Sequence, residues 1–348
     1  MGVRSVSGLW RGCPKVTLKQ NNLKDHKEET KMKKFITAAI GVALSTTVAF
    51  AQDSFPSGPV TLIVPYGPGG STDRTARPLA IELEKIWDQP VVIENMPGAG
   101  SMIGTTKMTQ ADPDGLTLLI NTAAISTAPA IQTDLQYDPM TDVTPISLLI
   151  TSPYVLVGGA KVESEDFTGF LQEAQSRPMF MATAGPGSSG HFMSELVIEA
   201  ADLPADIIHF SSGGESMTNL MGGHADTYIS TTASVMPYVN DGRVKALAVL
   251  APERFGLLPD VMSSGEAGVS GVDIEGWVAV FGPGGMDEAL VEQISDDLAT
   301  AMQSEAMLSL LTENFAIAGD LTPAEFGAVY LRDMQIWKDL AVERGIGQ

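Results

Sequence analysis

The chain has 348 residues, of which 42 are Asp or Glu and 21 are Lys or Arg, so its formal net charge is −21. An acidic chain of this kind is repelled by nucleic acid and by anionic membrane surfaces, which argues against both as partners. Its one cysteine, Cys13, lies in the segment that we predict to be a leader, so the rest of the sequence offers neither a disulfide nor a thiolate for catalysis or metal binding.

The first 51 residues are predicted to lie outside the fold. An apolar core (35–48) follows a basic stretch, and Ala49-Phe50-Ala51 fits the small-residue cleavage site of a secretory signal peptide. We interpret 32–51 as the signal peptide and 1–31 as an upstream extension of the reading frame; a genuine extension would leave the signal internal. Without the leader's nine basic and three acidic residues, 297 residues with a formal charge of −27 remain. The sequence thus predicts an exported, strongly acidic protein.

The segment from Val60 to Asp73 opens the predicted fold. Its β-branched apolar run, Val60 to Val64, is typical of a buried parallel strand; a Pro/Gly cluster breaks it, and a helical pattern begins at Ser71. The N–H groups of a first helical turn carry partial positive charge, and the hydroxyls of Ser71 and Thr72 add donors. This junction is a candidate cradle for a carboxylate or phosphate, or else a plain turn with Thr72 or Asp73 as the N-cap.

Strands and helices alternate through the next part of the chain, which argues for an α/β fold. The predicted elements are an amphipathic helix (75–87), a strand (91–94), a short helix that Pro113-Asp114-Gly115 ends, and a strand (116–120). That last strand delivers Asn121 and Thr122 at its carboxyl end, where ligands sit in open α/β sheets. We therefore add both to the candidate wall, with ordinary turn hydrogen bonding as the alternative.

A second strand-loop-helix junction repeats the first. A predicted strand (179–184) leads into a loop rich in glycine and hydroxyls (185–191), and a helix (192–201) follows. The loop contains Gly187, Ser188, Ser189 and His191. Two anion cradles in one chain suggest one ligand held between them.

Two long apolar runs, 145–157 and 272–281, are predicted to be strands that cross between two lobes. Lobe one would comprise 52–152 plus 275–348, and lobe two 153–274. Two crossing strands form a hinge that permits closure over a ligand. The last helix has a capping box with Pro at its first position and one apolar face; its signature residues are Thr322, Pro323, Glu325, Phe326, Val329, Tyr330, Met334 and Trp337.

The second junction partly matches two enzymatic motifs. The stretch 185–190 matches G-x-G-x-x-G between a strand and a helix, as a dinucleotide site requires, but the next predicted strand ends in Ser211 and Ser212 where an acid for the ribose is expected. Neither Ser188 nor Ser189 fits G-x-S-x-G. We therefore expect no cofactor and no enzymatic activity.

The histidines beyond the leader are His191, His209 and His224, and their spacing is not that of metal ligands. His191 is two residues from Ser189, near a predicted helix start, so it could orient a loop hydroxyl or meet an anionic ligand. An exported hydrolase with His191 as its base remains an alternative.

Five stretches resemble, in order, the tripartite tricarboxylate transporter substrate-binding proteins, also called Bug receptors, and the resemblance covers nearly all of 55–345. Together they are far more specific than any one alone. The stretches are Val64-Pro65-Tyr66-Gly67-Pro68-Gly69-Gly70-Ser71-Thr72-Asp73, Val92-Ile93-Glu94-Asn95-Met96-Pro97-Gly98-Ala99-Gly100, Pro113-Asp114-Gly115, Ala184-Gly185-Pro186-Gly187-Ser188-Ser189-Gly190-His191 and Leu258-Pro259-Asp260-Val261.

The resemblance implies a two-lobe periplasmic binding protein of the type II-like, Venus flytrap kind, which captures a small carboxylate and delivers it to a membrane permease. It implies a monomer whose ligand is held by backbone N–H groups, hydroxyls and ordered water. Carried over by position, the ligand-binding residues are Tyr66, Gly70, Ser71, Thr72, Asp73, Thr122, Gly187, Ser188, Ser189 and His191. For Asp73, helix capping is the preferred role, because a carboxylate repels an anion.

The sequence departs from the family pattern at three places. Tyr66-Gly67 stands where the family has Phe-Pro, and Ser230 stands where an Asp is common. Phe210-Ser211-Ser212-Gly213 replaces Tyr-Lys-Gly-Gly, which removes from the protein a phenol and a cation that could contact the ligand's far end.

The ligand could be a dicarboxylate, a tricarboxylate, an aromatic acid or an amino acid. A sensor accessory that binds the same ligand is a third functional alternative.

Overall fold

Ten strands form the sheet in the part of the chain that the structure describes, residues 55–132 and 134–346 of a computed structural model. The predicted extension 1–31 and signal peptide 32–51 lie outside the described residues. The strands are β1 (Val60–Val64), β2 (Val91–Asn95), β3 (Thr117–Thr122), β4 (Val143–Gly158), β5 (Met179–Thr183), β6 (Ala205–His209), β7 (Thr227–Thr231), β8 (Lys245–Val249), β9 (Glu275–Pro283) and β10 (Ile317–Ala318).

Helices follow most strands, as the alternating pattern predicts. They are α1 (Ser71–Trp87), α2 (Met102–Thr109), α3 (Ala124–Ile131), α4 (Phe167–Ala174), α5 (Ser189–Ala200), α6 (Gly213–Met221), α7 (Thr232–Asn240), α8 (Glu288–Met302), α9 (Glu305–Glu313) and α10 (Pro323–Arg344). Among the described residues, none of these helices combines the length and the apolar character needed to cross a bilayer.

The strand order is β2-β1-β3-β9-β4-β7-β5-β6, with β8 and β10 also paired to β4. In the first half, β1 runs parallel to β2 and β3; in the second, β5 runs parallel to β6 and β7. The 16-residue β4 pairs antiparallel with β9 along 143–153 and with β7 and β8 along 154–158. The strand predicted as the first crossover therefore belongs to both halves, as a two-lobe α/β fold requires. The lobe boundaries themselves stay a prediction.

Apolar faces of the helices bury the two halves of the sheet. In the first half, Leu79 and Leu83 of α1 are buried against β1. The long helix α10 contributes to both halves: Phe326 packs in the first-half core, while Trp337 is fully buried beside Phe192, with ring centroids 5.3 Å apart. The predicted capping box of α10 is present, with Thr322 and Glu325 as its partners.

Several predicted boundaries are wrong by a few residues. Helix α5 begins at Ser189 rather than at Phe192, because Ser188 is its N-cap and accepts from the His191 N–H. For α1 the N-cap is Gly70, neither Thr72 nor Asp73. Sequence analysis missed α3, α7 and α9; the first two contain an internal proline, which argued against a helix.

Candidate functional site

The predicted site residues lie at the carboxyl ends of parallel strands in both halves of the sheet. Tyr66, Gly70, Ser71 and Thr72 follow β1, Thr122 ends β3, and the loop with Gly187 follows β5. The parallel pairing of β1 with β3 places the first two groups at one edge of the sheet. Parallel strands in the second half do the same for the ends of β5, β6 and β7.

The two halves touch where the second loop packs on α3. The Gly187 backbone packs on Ile131 of α3: a Cβ added to Gly187 would lie 2.1 Å from Ile131 Cδ1. Tyr154, on β4, lies close enough to the Ser189 hydroxyl and to Tyr66 for both to influence the ionisation of its phenol.

The N-terminus of α1 has no side-chain cap. Gly70 caps it in an extended conformation and, having no side chain, makes no side-chain hydrogen bond to the first turn. The first N–H groups of a helix have no intrahelical partner. Ser71 is exposed, so its hydroxyl is accessible at this helix end, whereas Thr72, the other predicted hydroxyl donor, is buried.

Asp73 is hydrogen-bonded to groups in its own half of the protein. It is 1% exposed and accepts bonds from both Nε and Nη2 of Arg77, each at 2.8 Å, from Asn95 Nδ2 at 2.9 Å and from the Gly69 N–H at 2.8 Å. The Arg77 guanidinium, helped by the Gly69 and Asn95 donors, lowers the pKa of Asp73 to about 2 although burial opposes this. Asp73 therefore ties the β1–α1 loop to α1 and to the end of β2, and Arg77 neutralises its charge.

Replacement of Asp73 by Asn is expected to lower the free energy of unfolding at pH 7 by about 2 kcal/mol. The substitution removes a charge-assisted pair, and it replaces one acceptor oxygen with an NH₂ group that faces other hydrogen-bond donors. The folded pKa of Asp73 lies below its unfolded value of about 3.9, so its contribution is present above pH 4. That contribution is lost as the pH falls towards 2. Urea unfolding of both proteins at pH 7, 4 and about 2.5 should show the difference shrinking; a constant difference would contradict this assignment.

Asn121 supports the loop between β1 and α1 through its side-chain hydrogen bonds. Asn121 is fully buried. Its Oδ1 accepts hydrogen bonds from the Tyr66 hydroxyl, at 2.9 Å, and from the Thr122 N–H, at 2.8 Å. Its Nδ2 donates to Ser101 Oγ at 3.2 Å and to Thr105 Oγ1 at 3.3 Å. The hydroxyls of Tyr66 and Thr122 are also 2.9 Å apart. The Tyr66 phenol therefore braces the loop against β3, and its pKa is raised by burial.

The second loop is held by its own helix. Gly187 has a φ of +76°, which a side chain disfavours, and its N–H donates to His191 Nδ1 at 3.0 Å. The Ser188 hydroxyl donates to the Gly185 carbonyl at 2.8 Å and accepts from the His191 N–H. His191 is thus a support for the loop rather than an exposed group.

The proton of His191 is assigned to Nε2, because Nδ1 accepts from Gly187. Nε2 lies 3.7 Å from Glu195 Oε1, and the His209 ring stands edge-on with its centroid 4.6 Å away. His209 Nδ1 is 2.7 Å from Thr183 Oγ1, and Thr183 is fully buried. Burial, with His191 nearby, lowers the pKa of His209.

Two tyrosines at this edge were missed by sequence analysis. Tyr154 and Tyr228 are 2% and 4% exposed, and burial raises the pKa of Tyr154 to about 12 and also raises that of Tyr228. Tyr228 ends near Gly213, at the start of α6. Both lie in strands whose apolar neighbours predict core positions, so only the pairing of β4 with β7 shows that they reach the strand ends.

A groove of about 540 Å³ lies elsewhere, beside β4 and β9. Its cations are already engaged, since Arg254 pairs with Glu266 and Arg332 pairs with Asp333. None of the ten predicted site residues lines it. Its lining residues are Pro153, Leu250, Ala251, Pro252, Glu253, Arg254, Phe255, Gly256, Asp273, Glu275 and Arg332. The strand ends stay our predicted site, because the uncapped N-terminus of α1 and the glycine- and hydroxyl-rich second loop both follow strand ends.

Comparison with known proteins identifies relatives over most of the chain. Residues 75–319 match the model of the tripartite tricarboxylate transporter family receptor. Protein BugT of Bordetella pertussis is 28% identical over 317 residues, 89% of this chain and 97% of BugT. MatC from Rhodopseudomonas palustris, solved with bound malate, is 29% identical with a TM-score of 0.73, over 82% of this chain and 99% of that one. R. palustris Rpa4515, solved with adipate, is 26% identical with a TM-score of 0.76, over 84% and 99%.

Proposed function

The chain belongs to the tripartite tricarboxylate transporter receptor family, and from this premise we propose that it captures a small organic carboxylate between its two lobes and delivers it to a membrane permease. One observation carries the proposal: the uncapped N-terminus of α1 and the loop before α5 lie at the carboxyl ends of parallel strands in different halves of the sheet, and this loop packs on Ile131 of α3. The malate and adipate in the related structures support a carboxylate ligand.

The proposed mechanism is closure of a clamp. The α1 N–H groups and the Ser71 hydroxyl hold the carboxylate on lobe one, and the loop with Gly187 and Ser189 closes onto it from lobe two. The crossing strands β4 and β9 form the hinge. The permease then recognises the closed surface, because closure brings the two lobes into a fixed arrangement.

Thermal unfolding of residues 52–348 against a panel of small carboxylates tests the function. The protein is first denatured and refolded to remove carried ligand, and the panel includes malate and adipate. A ligand at 100 times its dissociation constant should stabilise the protein by about 2.7 kcal/mol, which gives a clear rise in melting temperature. If no acid shifts the melting temperature of natively refolded protein, a carboxylate receptor is the wrong function.

The hydrolase alternative has less support. His191 Nδ1 is engaged by a backbone N–H, and the hydroxyl that contacts His209 belongs to the buried Thr183, so neither ring has an accessible serine or threonine as its partner in the described residues. Ester turnover abolished by His191→Ala would favour a hydrolase. A sensor accessory would instead fail to recover permease subunits in a pull-down.

We also propose that the protein reaches the periplasm through a signal peptide cleaved after Ala51. Periplasmic location agrees with the family, whose solved members include periplasmic binding proteins. When the gene is expressed from Met32 in a Gram-negative host, the mass of the exported protein should match a chain that begins at Gln52. Retention of the full leader in the periplasmic fraction would contradict this processing site.

A further inference from the structure

Tyr154 lies at the point where β4 passes from one half of the sheet to the other. The part of β4 up to Pro153 pairs with β9, and Tyr154 is the first β4 residue that pairs with β7, opposite Thr231. Thr231 ends β7, and β7 runs parallel to β5, whose end leads into the second loop. Backbone pairing therefore fixes Tyr154 at the carboxyl ends of the second-half strands, next to the first half.

The Tyr154 ring lies beside the predicted site. It is buried, and the Ser189 hydroxyl and Tyr66 both lie close enough to influence the ionisation of its phenol. Gly276 of β9 leaves room for the ring, since a Cβ added there would lie 3.4 Å from Tyr154 Cζ, the carbon that bears the hydroxyl. Ser189 belongs to the second half and Tyr66 to the first, so the phenol has a predicted ligand-binding residue from each half as a neighbour.

The Tyr154 hydroxyl is free to donate a hydrogen bond. Across residues 55–132 and 134–346 it forms no hydrogen bond, and neither does the Ser189 hydroxyl. The buried side-chain atoms of these residues that lack both a partner and contact with solvent are the hydroxyls of Tyr137 and Tyr330, Thr227 Oγ1 and Arg344 Nε. The Tyr154 hydroxyl is not one of them, so its oxygen reaches open space although its ring is buried. Burial raises its pKa to about 12, so the hydroxyl keeps its proton at neutral pH.

Tyr66, the neighbouring phenol, is already engaged. Its hydroxyl donates to Asn121 Oδ1 at 2.9 Å and lies 2.9 Å from Thr122 Oγ1. A phenol carries one hydrogen, so Tyr66 has none left for a ligand. Of the two phenols, only Tyr154 has a hydrogen to offer.

From this contrast, and resting on the function proposed above, we propose that Tyr154 is a ligand-binding residue: its hydroxyl donates a hydrogen bond to the bound carboxylate on the side that faces Ser189. The Ser189 hydroxyl supplies a second donor to the same carboxylate. A hydrogen bond to an ionised acceptor is stronger than one between neutral groups. Because Tyr154 is anchored in β4 where the two halves meet, it donates from a fixed position while the second loop closes.

Tyr154→Phe tests the assignment because it removes only the hydroxyl and keeps the buried ring. The affinity of residues 52–348 for malate, succinate and adipate is measured by calorimetry at pH 7.5. The acid that binds wild-type protein most tightly should bind Tyr154→Phe at least about tenfold more weakly, since a hydrogen bond to a charged group is lost. The free energy of unfolding without ligand should stay at the wild-type value or rise. Equal affinity in the two proteins would overturn the proposal.

Tyr330→Phe is the matched control. Tyr330 is also a buried tyrosine whose hydroxyl has no partner within the described ranges, but that hydroxyl is sealed from solvent in the first-half core. Its removal should leave the affinity for the same acid at the wild-type value. A loss as large as that of Tyr154→Phe would show that the effect comes from any change in the core and would contradict a contact with the ligand.

A hydrogen bond between Tyr154 and Ser189 is the main alternative. That bond would exist without ligand, so Tyr154→Phe and Ser189→Ala would each lower the free energy of unfolding, and their effects in the double variant would be less than additive. The proposal instead predicts coupled losses of affinity with little change in stability, because both hydroxyls contact one carboxylate. Coupling in stability alone would overturn it. If none of the three acids binds wild-type protein, the proposed function fails and this assignment with it, whereas equal binding to wild-type and Tyr154→Phe protein overturns only the assignment.

Discussion

Ser71→Asp is expected to weaken carboxylate binding at least a hundredfold while the protein stays folded. The new carboxylate would lie at the first position of α1, beside the N–H groups proposed to hold the ligand. Two like charges about 4 Å apart repel by about 4 kcal/mol at an effective dielectric constant near 20, and a hundredfold loss needs only about 2.7 kcal/mol. Calorimetry with whichever acid stabilises the wild-type protein measures the loss.

The same substitution should not unfold the protein, because an acidic residue in the first turn of a helix is stabilising by about 0.3–1 kcal/mol. The melting temperature without ligand is therefore expected to stay constant or rise slightly. Ser71→Asn, which is uncharged and similar in size, serves as the control and should retain most of the affinity. Unchanged affinity in Ser71→Asp would refute the placement of the carboxylate at α1.

Gly187→Ala is expected to reduce ligand affinity about tenfold or more. Gly187 has a φ of +76°, a conformation that costs other residues about 1–2 kcal/mol. The added methyl would also lie 2.1 Å from Ile131 Cδ1, so α3 and the second loop could not approach as they do in the structure. Both effects act on the loop that closes over the ligand, and calorimetry on the refolded variant measures the result.

A double variant separates the two causes. Ile131→Ala removes the side chain that the new methyl meets, so Gly187→Ala with Ile131→Ala should recover part of the affinity, while the backbone strain at position 187 persists. Gly214→Ala, in the first turn of α6, is a control because nothing lies within 4 Å of its added Cβ and its φ is ordinary. No loss in Gly187→Ala would show that the second loop does not close on the ligand.

Local chemistry along the sequence was sufficient to predict most of the fold. The apolar runs that became β1 and β4, the capping box of α10 and both strand-loop-helix junctions depend on short-range patterns, and the structure has them where the sequence predicted. The family followed from five motifs in order, and the match over 75–319 confirms it. Helices α3 and α7 were missed because tertiary packing overrides the unfavourable proline in each.

What only the tertiary structure decided is which polar groups are already engaged. The sequence determined that Asp73 and His191 follow strand ends, but it could not show that Arg77 neutralises Asp73 or that the Gly187 N–H occupies His191 Nδ1. Tyr154 and Tyr228 likewise appear as core residues in sequence, and only the pairing of β4 with β7 shows that Tyr154 lies opposite the last residue of β7 and Tyr228 opposite Val157. The reason is physical: strand identity depends on neighbours along the chain, whereas the charge and donors of a site depend on side chains that distant segments bring within hydrogen-bond range.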